Sequence, residues 1–481
     1  MSINEVNEAF DEHIRNIPPR FIDLYATPFR LVDRDEVKQK CVAIIDSITE
    51  TDIEQHTSYA NQRREDVIRT LVKGAVKYAV LSHTWREKIE EEFTYQQMIS
   101  PDSVRDGPGW KKLKQFVKLA KYTFNCQFAW LDTVCVDRHS PNDQQAAARS
   151  GFDWFRNAHV CIVYLASARF LSELKHDRWF RRGWPLTELL ASIRMKFYGA
   201  GWEPLNVKCP RAENDKADSN FLDALSQASG ISVDDLRFFL PGPNRVREKL
   251  SWASRRETNR PEDRAYCLIS IFVSRMEIDP DEGEKAFPRL MLNVIPKSHE
   301  CDVFAWAGKS AEDHPAIPSS PTCYGPQHRD RELHREPHHY RLCGDRTFSL
   351  GHDHLKIKVI LLDVVLKRAW GPGYTVMVKS HSHKASIDKV VPLSKALTDG
   401  EMTTGVIGAF GGVEMSIGVI DYSWTGEPGK GKLFKGGCYF GFLLQRRAKD
   451  GRWEKVDTEK VAFIDSQETK EHELQVLHLL C

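Results

Sequence analysis

The sequence predicts an α/β protein: a doubly wound parallel sheet, a helical extension behind it and a β-rich C-terminal domain. Three observations carry that prediction. Between Lys77 and Tyr198, short apolar runs alternate with amphipathic stretches, the rhythm of βαβ units. Those runs are nearly continuous rather than alternating, as strands buried on both faces require. After Arg346 the pattern changes to short strands separated by Gly-rich turns, which reads as a sandwich-like antiparallel domain.

The elements follow in order. Segment 1–76 is charged and mostly helical in pattern; "LVDRDEVKQKCVAIIDSI" fits an amphipathic helix, and "PPRFIDLYATPFRLVD" a Pro-broken approach to the core. The core, 77–205, opens with the strand "KYAVLSHTW". A helix follows a Gly-Pro-Gly start, with Trp110, Leu113, Phe116, Val117 and Ala120 at helical spacing. "FAWLDTVCVD" reads as a strand, "PNDQQAAARSGFDWFRNA" as a helix with an Asn/Asp cap, "HVCIVYLA" as a strand and "GWPLTELLASIRMKFY" as a helix. Segment 206–308 is a helical extension, 309–345 a linker rich in Pro, His and Arg, and 346–481 the β-rich domain. Ligands of such parallel sheets sit beyond the carboxyl ends of the strands. That rule selects the loop after Leu81, the stretch Asp132 to Arg138 and the loop after Leu165.

Bulk properties exclude several classes. The chain has 481 residues, 41% of them hydrophobic, enough for sizeable cores. Lys plus Arg number 68 against 67 Asp plus Glu, so nothing global draws the chain to nucleic acid or anionic membrane. No apolar stretch reaches the roughly 18 residues that a membrane span needs. The N-terminus is polar and acidic, and the 11 cysteines are scattered without a CxxC pair. Together these features give the expectation of a cytoplasmic protein with reduced thiols, Cys126, Cys135 and Cys161 among its core residues. The tract Cys323, His328, His334, His338, His339, Cys343 matches no common zinc spacing, so no metal site is expected. "GEPGKGK" lacks the full phosphate-loop spacing and reads as a turn.

Three motifs occur in order: "YAVLSHTW", "WLDTVCVDR" and "RRGWPLTELL". They resemble the three signature blocks of the fungal heterokaryon-incompatibility (HET) domain. "SWASRRETNRPEDRAYCLISIF", "DEGEKAFPRL" and "DVFAWAG" resemble the extension seen in many such proteins of mushroom-type fungi. The similarity covers roughly Lys77 to Gly308. His83, Arg86, Arg138, Pro185 and Thr187 depart from the usual residues of the blocks. The resemblance implies a TIR-like, flavodoxin-like fold, a role in cell death after non-self contact, and protein partners or self-association. Several TIR domains hydrolyse NAD with one glutamate in a W-C-x-x-E motif, a spacing shared by Trp184 and Glu188. The resemblance therefore makes NAD the candidate substrate, with no bound cofactor; a non-catalytic signalling module is the alternative.

The residues themselves leave two readings open at each position. Pro185 suits a first helical position. Leu186, Leu189, Leu190, Ile193 and Phe197 would share one face of a helix from there, with Glu188 opposite. Glu188 is then either the catalytic carboxylate or a first-turn acid favouring the helix dipole. Arg182, with Arg181, either meets phosphates or stays in solvent. Ser82 and Trp85 either bind a ribose and stack a base, or cap a turn and fill the core. Asp132, inside an apolar run, either pairs with a basic residue or lines the site. Asp137 is a pocket residue or part of a turn. Nicotinamide departs from NAD as a neutral base, so one carboxylate stabilising an oxocarbenium-like transition state suffices, without a general acid.

Overall fold

The computed structural model describes residues 2–60, 63–208, 213–298, 300–325, 348–351, 354–368, 374–379, 383–385, 414–447 and 451–480. The chain divides into two compact units. The first comprises residues 1–241 and 266–278, the second 242–265 and 279–481.

The first unit is built on a six-stranded sheet. Its strands are β1 (Arg20–Asp23), β2 (Arg30–Asp33), β3 (Tyr78–His83), β4 (Phe128–Trp130), β5 (Val160–Tyr164) and β6 (Met195–Tyr198), in the order β2-β1-β4-β3-β5-β6. β3 pairs in parallel with β4 and β5, and β5 with β6, whereas β1 is antiparallel to β4 and β2 to β1. The sheet is therefore mixed rather than wholly parallel. The two antiparallel strands come from the stretch read as a Pro-broken approach, where Phe21, Ile22 and Val32 are buried apolar residues. Around them lie α1 (Ser2–Arg15), α2 (Arg34–Asp46), α3 (Glu50–Ala60) and α4 (Arg64–Ala75).

The remaining helices are α5 (Tyr95–Ile99), α6 (Gly107–Lys118), α7 (Asp132–Cys135), α8 (Pro141–Asn157), α9 (Pro185–Ala191), α10 (Ser219–Ser229) and α11 (Val233–Phe238). α6 starts where the Gly-Pro-Gly signal puts it. Gly109 is obligatory, because a Cβ there would lie 2.3 Å from the Phe93 backbone nitrogen. α6 runs on into a π-turn over Leu119–Thr123. α8 is capped by Ser140, whose hydroxyl accepts the Asp143 N–H at 3.3 Å, rather than by the Asn/Asp pair.

Two sequence expectations fail in the core. The apolar run "FAWLDTVCVD" is a strand only through Trp130, and Asp132 opens the one-turn helix α7. "GWPLTELLASIRMKFY" is a seven-residue helix followed by a strand. Phe197 therefore belongs to β6, and Ile193 is 54% exposed in the connection, so neither extends the helical stripe. The strand wins because the sheet edge beside β5 takes Met195 to Tyr198, all buried. The polar member of that strand, Lys196, is matched by Asp215: the pair is fully buried with Nζ 2.8 Å from Oδ1.

The second unit contains α12 (Val246–Ala253), α13 (Asp263–Tyr266), whose last residue falls in the first unit, and α14 (Ala286–Val294). Its strands are β7 (Phe348–Leu350), β8 (His354–Arg368), β9 (Tyr374–Val378), β10 (His383–Ala385), β11 (Met415–Val419), β12 (Ser423–Trp424), β13 (Lys430–Leu433), β14 (Cys438–Arg446), β15 (Trp453–Lys455), β16 (Ala462–Ser466) and β17 (Lys470–Leu480). They form one hydrogen-bonded antiparallel sheet, with the path β10-β16-β14-β11-β8-β17-β13-β12. The long strand β8 pairs with β17 over its first half and with β9 at its end. Ile360, Ile417, Val419, Tyr422, Leu433 and Ile464 are among its core residues. Part of the expected linker packs as structure: Ala311, Ile317, Cys323 and Tyr324 are buried. The rest of it, with His328, His334, His338, His339 and Cys343, lies outside the described residues.

Candidate functional site at the carboxyl end of β3

β3 has parallel neighbours on both sides, β4 and β5, so the chain winds outward from it in two directions. Its last residues, Leu81, Ser82 and His83, are all buried. Side chains alternate along a strand, so Ser82 and His83 point to opposite faces at the same strand end.

On the Ser82 face, the hydroxyl donates to Glu188 Oε2 and accepts the indole N–H of Trp179 at 2.8 Å. A relay runs from indole N–H through the hydroxyl to a carboxylate. A serine hydroxyl has one hydrogen and two lone pairs. Here the hydrogen is committed to Glu188 and one lone pair to Trp179. Ser82 therefore orients the carboxylate and is poorly suited to be a nucleophile.

Each relay member is fixed by its surroundings. Trp179 is fully buried in a 3-10 turn over Arg178–Arg181. Asp177, 1% exposed, caps that turn by accepting the Trp179 N–H at 2.9 Å. Its second oxygen accepts the N–H groups of Ser167 and Ala168 at 2.9 and 3.2 Å, tying the loop after β5 to the Trp179 turn. Glu188 lies in the first turn of α9 behind Pro185, on the side away from the buried Leu186, Leu189 and Leu190. The other end of α9 is closed by Lys216, whose ammonium donates to the carbonyls of Leu189 and Ser192 at 2.6 and 2.7 Å. Burial pushes the Lys216 pKa down to about 7.

The His83 face is richer in charge. Trp85 donates its indole N–H to Asp132 Oδ2 at 2.8 Å, and Arg138 Nη2 stands 3.5 Å from the same oxygen. The Arg138 guanidinium stacks on the Trp85 ring, 3.6 Å from its centroid. Burial holds the Asp132 carboxyl above its usual range, while Arg138, the Trp85 hydrogen bond and Lys112 pull it back. His83 Nδ1 lies 4.0 Å from Asp132 Oδ1. Burial, then Lys112 and Arg138, push the imidazole well below its ordinary value, so the ring is neutral. His83 Nε2 and Asp132 Oδ1 are buried without a hydrogen-bond partner among the described residues. Lys112 is held by Glu92 at 2.6 Å, and Glu92 also accepts the Arg86 N–H at 2.7 Å.

The structure thus joins Ser82 with Glu188, and Trp85 with Asp132. Asp132 pairs with a basic residue, Arg138, and stands beside His83. Asp137 belongs to a turn: its carboxylate accepts the His139 N–H at 2.9 Å and a Gln96 amide hydrogen at 3.3 Å. Trp184 occupies the N-cap of α9, and its carbonyl accepts the Thr187 N–H at 3.1 Å. Arg182 is half-buried between the Trp179 turn and α9. Thr187 turns into the core and donates to the Cys267 carbonyl at 2.5 Å. Sequence reasoning missed Trp179, although a buried tryptophan needs an acceptor for its N–H. Among the described residues no group of His, Cys, Asp and Glu side chains has the arrangement of a metal site. No helix among them is long and apolar enough to cross a membrane.

Residues 78–178 match the family model described as heterokaryon incompatibility protein (HET). Over 229 residues the chain is 31% identical to the vegetative incompatibility protein HET-E-1 of Podospora anserina. That alignment covers 44% of this chain and 16% of the relative, so the chain spans only a small part of the relative's length. No solved structure matches the chain. The matched family segment contains Ser82, His83, Trp85, Asp132 and Arg138, and Glu188 lies just beyond it. By these comparisons the chain is similar to heterokaryon-incompatibility proteins over a segment that carries β3 and the Trp85–Asp132–Arg138 cluster, while Trp179 and Glu188 follow its end.

Proposed function

We propose that the protein is an incompatibility effector of fungal non-self recognition, and that its first unit triggers cell death by hydrolysing the N-glycosidic bond of NAD. The observation that carries this reading is the Trp179–Ser82–Glu188 relay at the carboxyl end of a parallel strand. Glu188 is oriented by Ser82 and sits half-buried at the start of α9. A carboxylate so placed can hold a ribose hydroxyl and stabilise positive charge developing at the anomeric carbon. The bond to nicotinamide breaks, the ring departs as a neutral base, and water adds to the anomeric carbon, releasing one proton to solvent. The strand order β4-β3-β5-β6 of the parallel strands agrees with a TIR-like, flavodoxin-like core.

A second reading, a non-catalytic module acting through protein contacts, is favoured by Thr187. That signature-block position is spent on the core contact with Cys267. The deciding experiment incubates the purified chain with NAD over a concentration series, to allow for self-association, and follows nicotinamide release. Release by the wild type that disappears in Glu188→Gln supports hydrolysis. Release at the same rate from both proteins overturns the role of Glu188, and release from neither at any concentration leaves the contact reading.

A further inference from the structure

At the far end of β3 from Ser82 lies a cavity of about 490 Å3, within the roughly 300–1,000 Å3 of small-molecule sites. Asp23, Lys40, Gly74, Lys77, Asn125 and Gln127 are among its lining residues. Its floor is built from backbone: the Leu24 N–H donates to the Gln127 carbonyl at 3.2 Å and the Gln127 N–H to the Lys77 carbonyl at 2.9 Å. The amino ends of β3 and β4 are thereby locked to the end of β1, and the site is formed in advance of any ligand.

Its chemistry is specific. Asp23 is 6% exposed at its side chain, with Oδ2 3.1 Å from Lys40 Nζ and Oδ1 accepting the Tyr25 N–H at 2.9 Å. Burial pushes its carboxyl up, but the Tyr25 amide and Lys40 outweigh that and hold it below the usual carboxylate range. Asp23 therefore presents a fixed anion. Gln127 Oε1 is taken by the Cys41 thiol at 3.6 Å, which turns its amide hydrogens to other acceptors. Lys77 has no carboxylate within ion-pair distance among the described residues. Nearby, just before β5, His159 is held neutral, its pKa pushed down to about 4 by burial, then by Arg194 and Lys77.

We propose that this cavity binds a phosphorylated sugar, with the phosphate on Lys77 and Lys40 and a sugar hydroxyl donating to Asp23. A bare anion satisfies the lysines but is repelled by Asp23, and a neutral sugar leaves Lys77 unmatched. A ligand carrying both groups answers the whole lining. The site is independent of Glu188, so its failure would leave the hydrolase reading untouched.

The test is calorimetric titration of the full chain with ribose 5-phosphate, inorganic phosphate and ribose, each alone. Ribose 5-phosphate should bind about tenfold or more tightly than either fragment. Lys77→Ala should weaken it about tenfold or more, the loss expected for a charge-assisted contact. Gly74→Glu is the cleaner variant. A Cβ at Gly74 meets nothing within 4 Å, and glutamate favours helix over glycine, so the fold is kept while a negative charge enters the cavity. It should abolish binding with an unchanged melting temperature. Absence of ribose 5-phosphate binding, equal binding of inorganic phosphate, or unchanged affinity in both variants would overturn the proposal.

Discussion

Ser82 and His83 are neighbours in sequence, yet the two faces they serve are built on different principles. The Ser82 face carries a directed chain of hydrogen bonds from Trp179 through the hydroxyl to Glu188. The His83 face carries mutually compensating charges: Asp132 with Arg138, and Lys112 with Glu92. Lys196, in register with Ile162 and hence on the same side as Leu81 and His83, is balanced by Asp215. A hydrogen-bond relay fixes the direction of one carboxylate. A charge network fixes a potential over a wider surface, and burial, then Lys112 and Arg138, keep His83 neutral. One strand end can thus hold a reacting group on one side and an electrostatic support on the other.

The largest test of that contrast is Glu188→Gln. If the Ser82 face does the chemistry, nicotinamide release should fall by about 10²–10³-fold, while Arg138→Ala on the other face should retain measurable release. Equal losses in both would erase the distinction. Next comes the charge network. Asp215→Ala removes the carboxylate that balances the fully buried Lys196 and should cost about 3–5 kcal/mol in denaturant unfolding. Ser82→Ala strips the Trp179 indole N–H of its acceptor in a buried site and should cost about 1–3 kcal/mol. A stability equal to wild type would mean that Trp179 re-pairs and that the relay is not structural.

Acidity separates the faces further. His83 has its folded pKa below the unfolded value, so the unfolded chain takes up the proton first as the pH falls. Its contribution is complete above pH 6.5 and declines on acidification, and His83→Phe should flatten that part of the profile. Lys216, under α9, is lowered from 10.5 to about 7, so its contribution rises as the pH climbs between those values. Lys216→Met should remove the alkaline rise alone. The smallest effect belongs to the Arg138 stack on Trp85: Arg138→Ala, at a half-exposed side chain, should cost about 0.5–1 kcal/mol in the same unfolding experiment.

Much of this organisation is legible in the residues. β3, β5 and α6 fall where apolar runs and the Gly-Pro-Gly start place them, and α8 where its helical spacing does, because each is a local pattern with a local cause. The failures share one physical origin. "SIRMKFY" continues a helical spacing, but the edge of β5 offers hydrogen bonds that turn it into β6. "FAWLDTVCVD" is apolar enough for a long strand, yet Trp85 and Arg138 draw Asp132 out into a helical turn. "PPRFIDLYATPFRLVD" looks like punctuation until β4 supplies a partner for β1.

The sequence by itself determined the placement of Ser82 at a strand's carboxyl end, and Glu188 on the side of its helix away from the leucines, though not where that helix ends. These depend on spacings of a few residues. Tertiary structure decided that Glu188 meets Ser82 and that Trp179 rather than Trp184 completes the relay. Those are contacts between segments about a hundred residues apart. No local propensity encodes them, because they arise only when the sheet brings its strand ends to one edge.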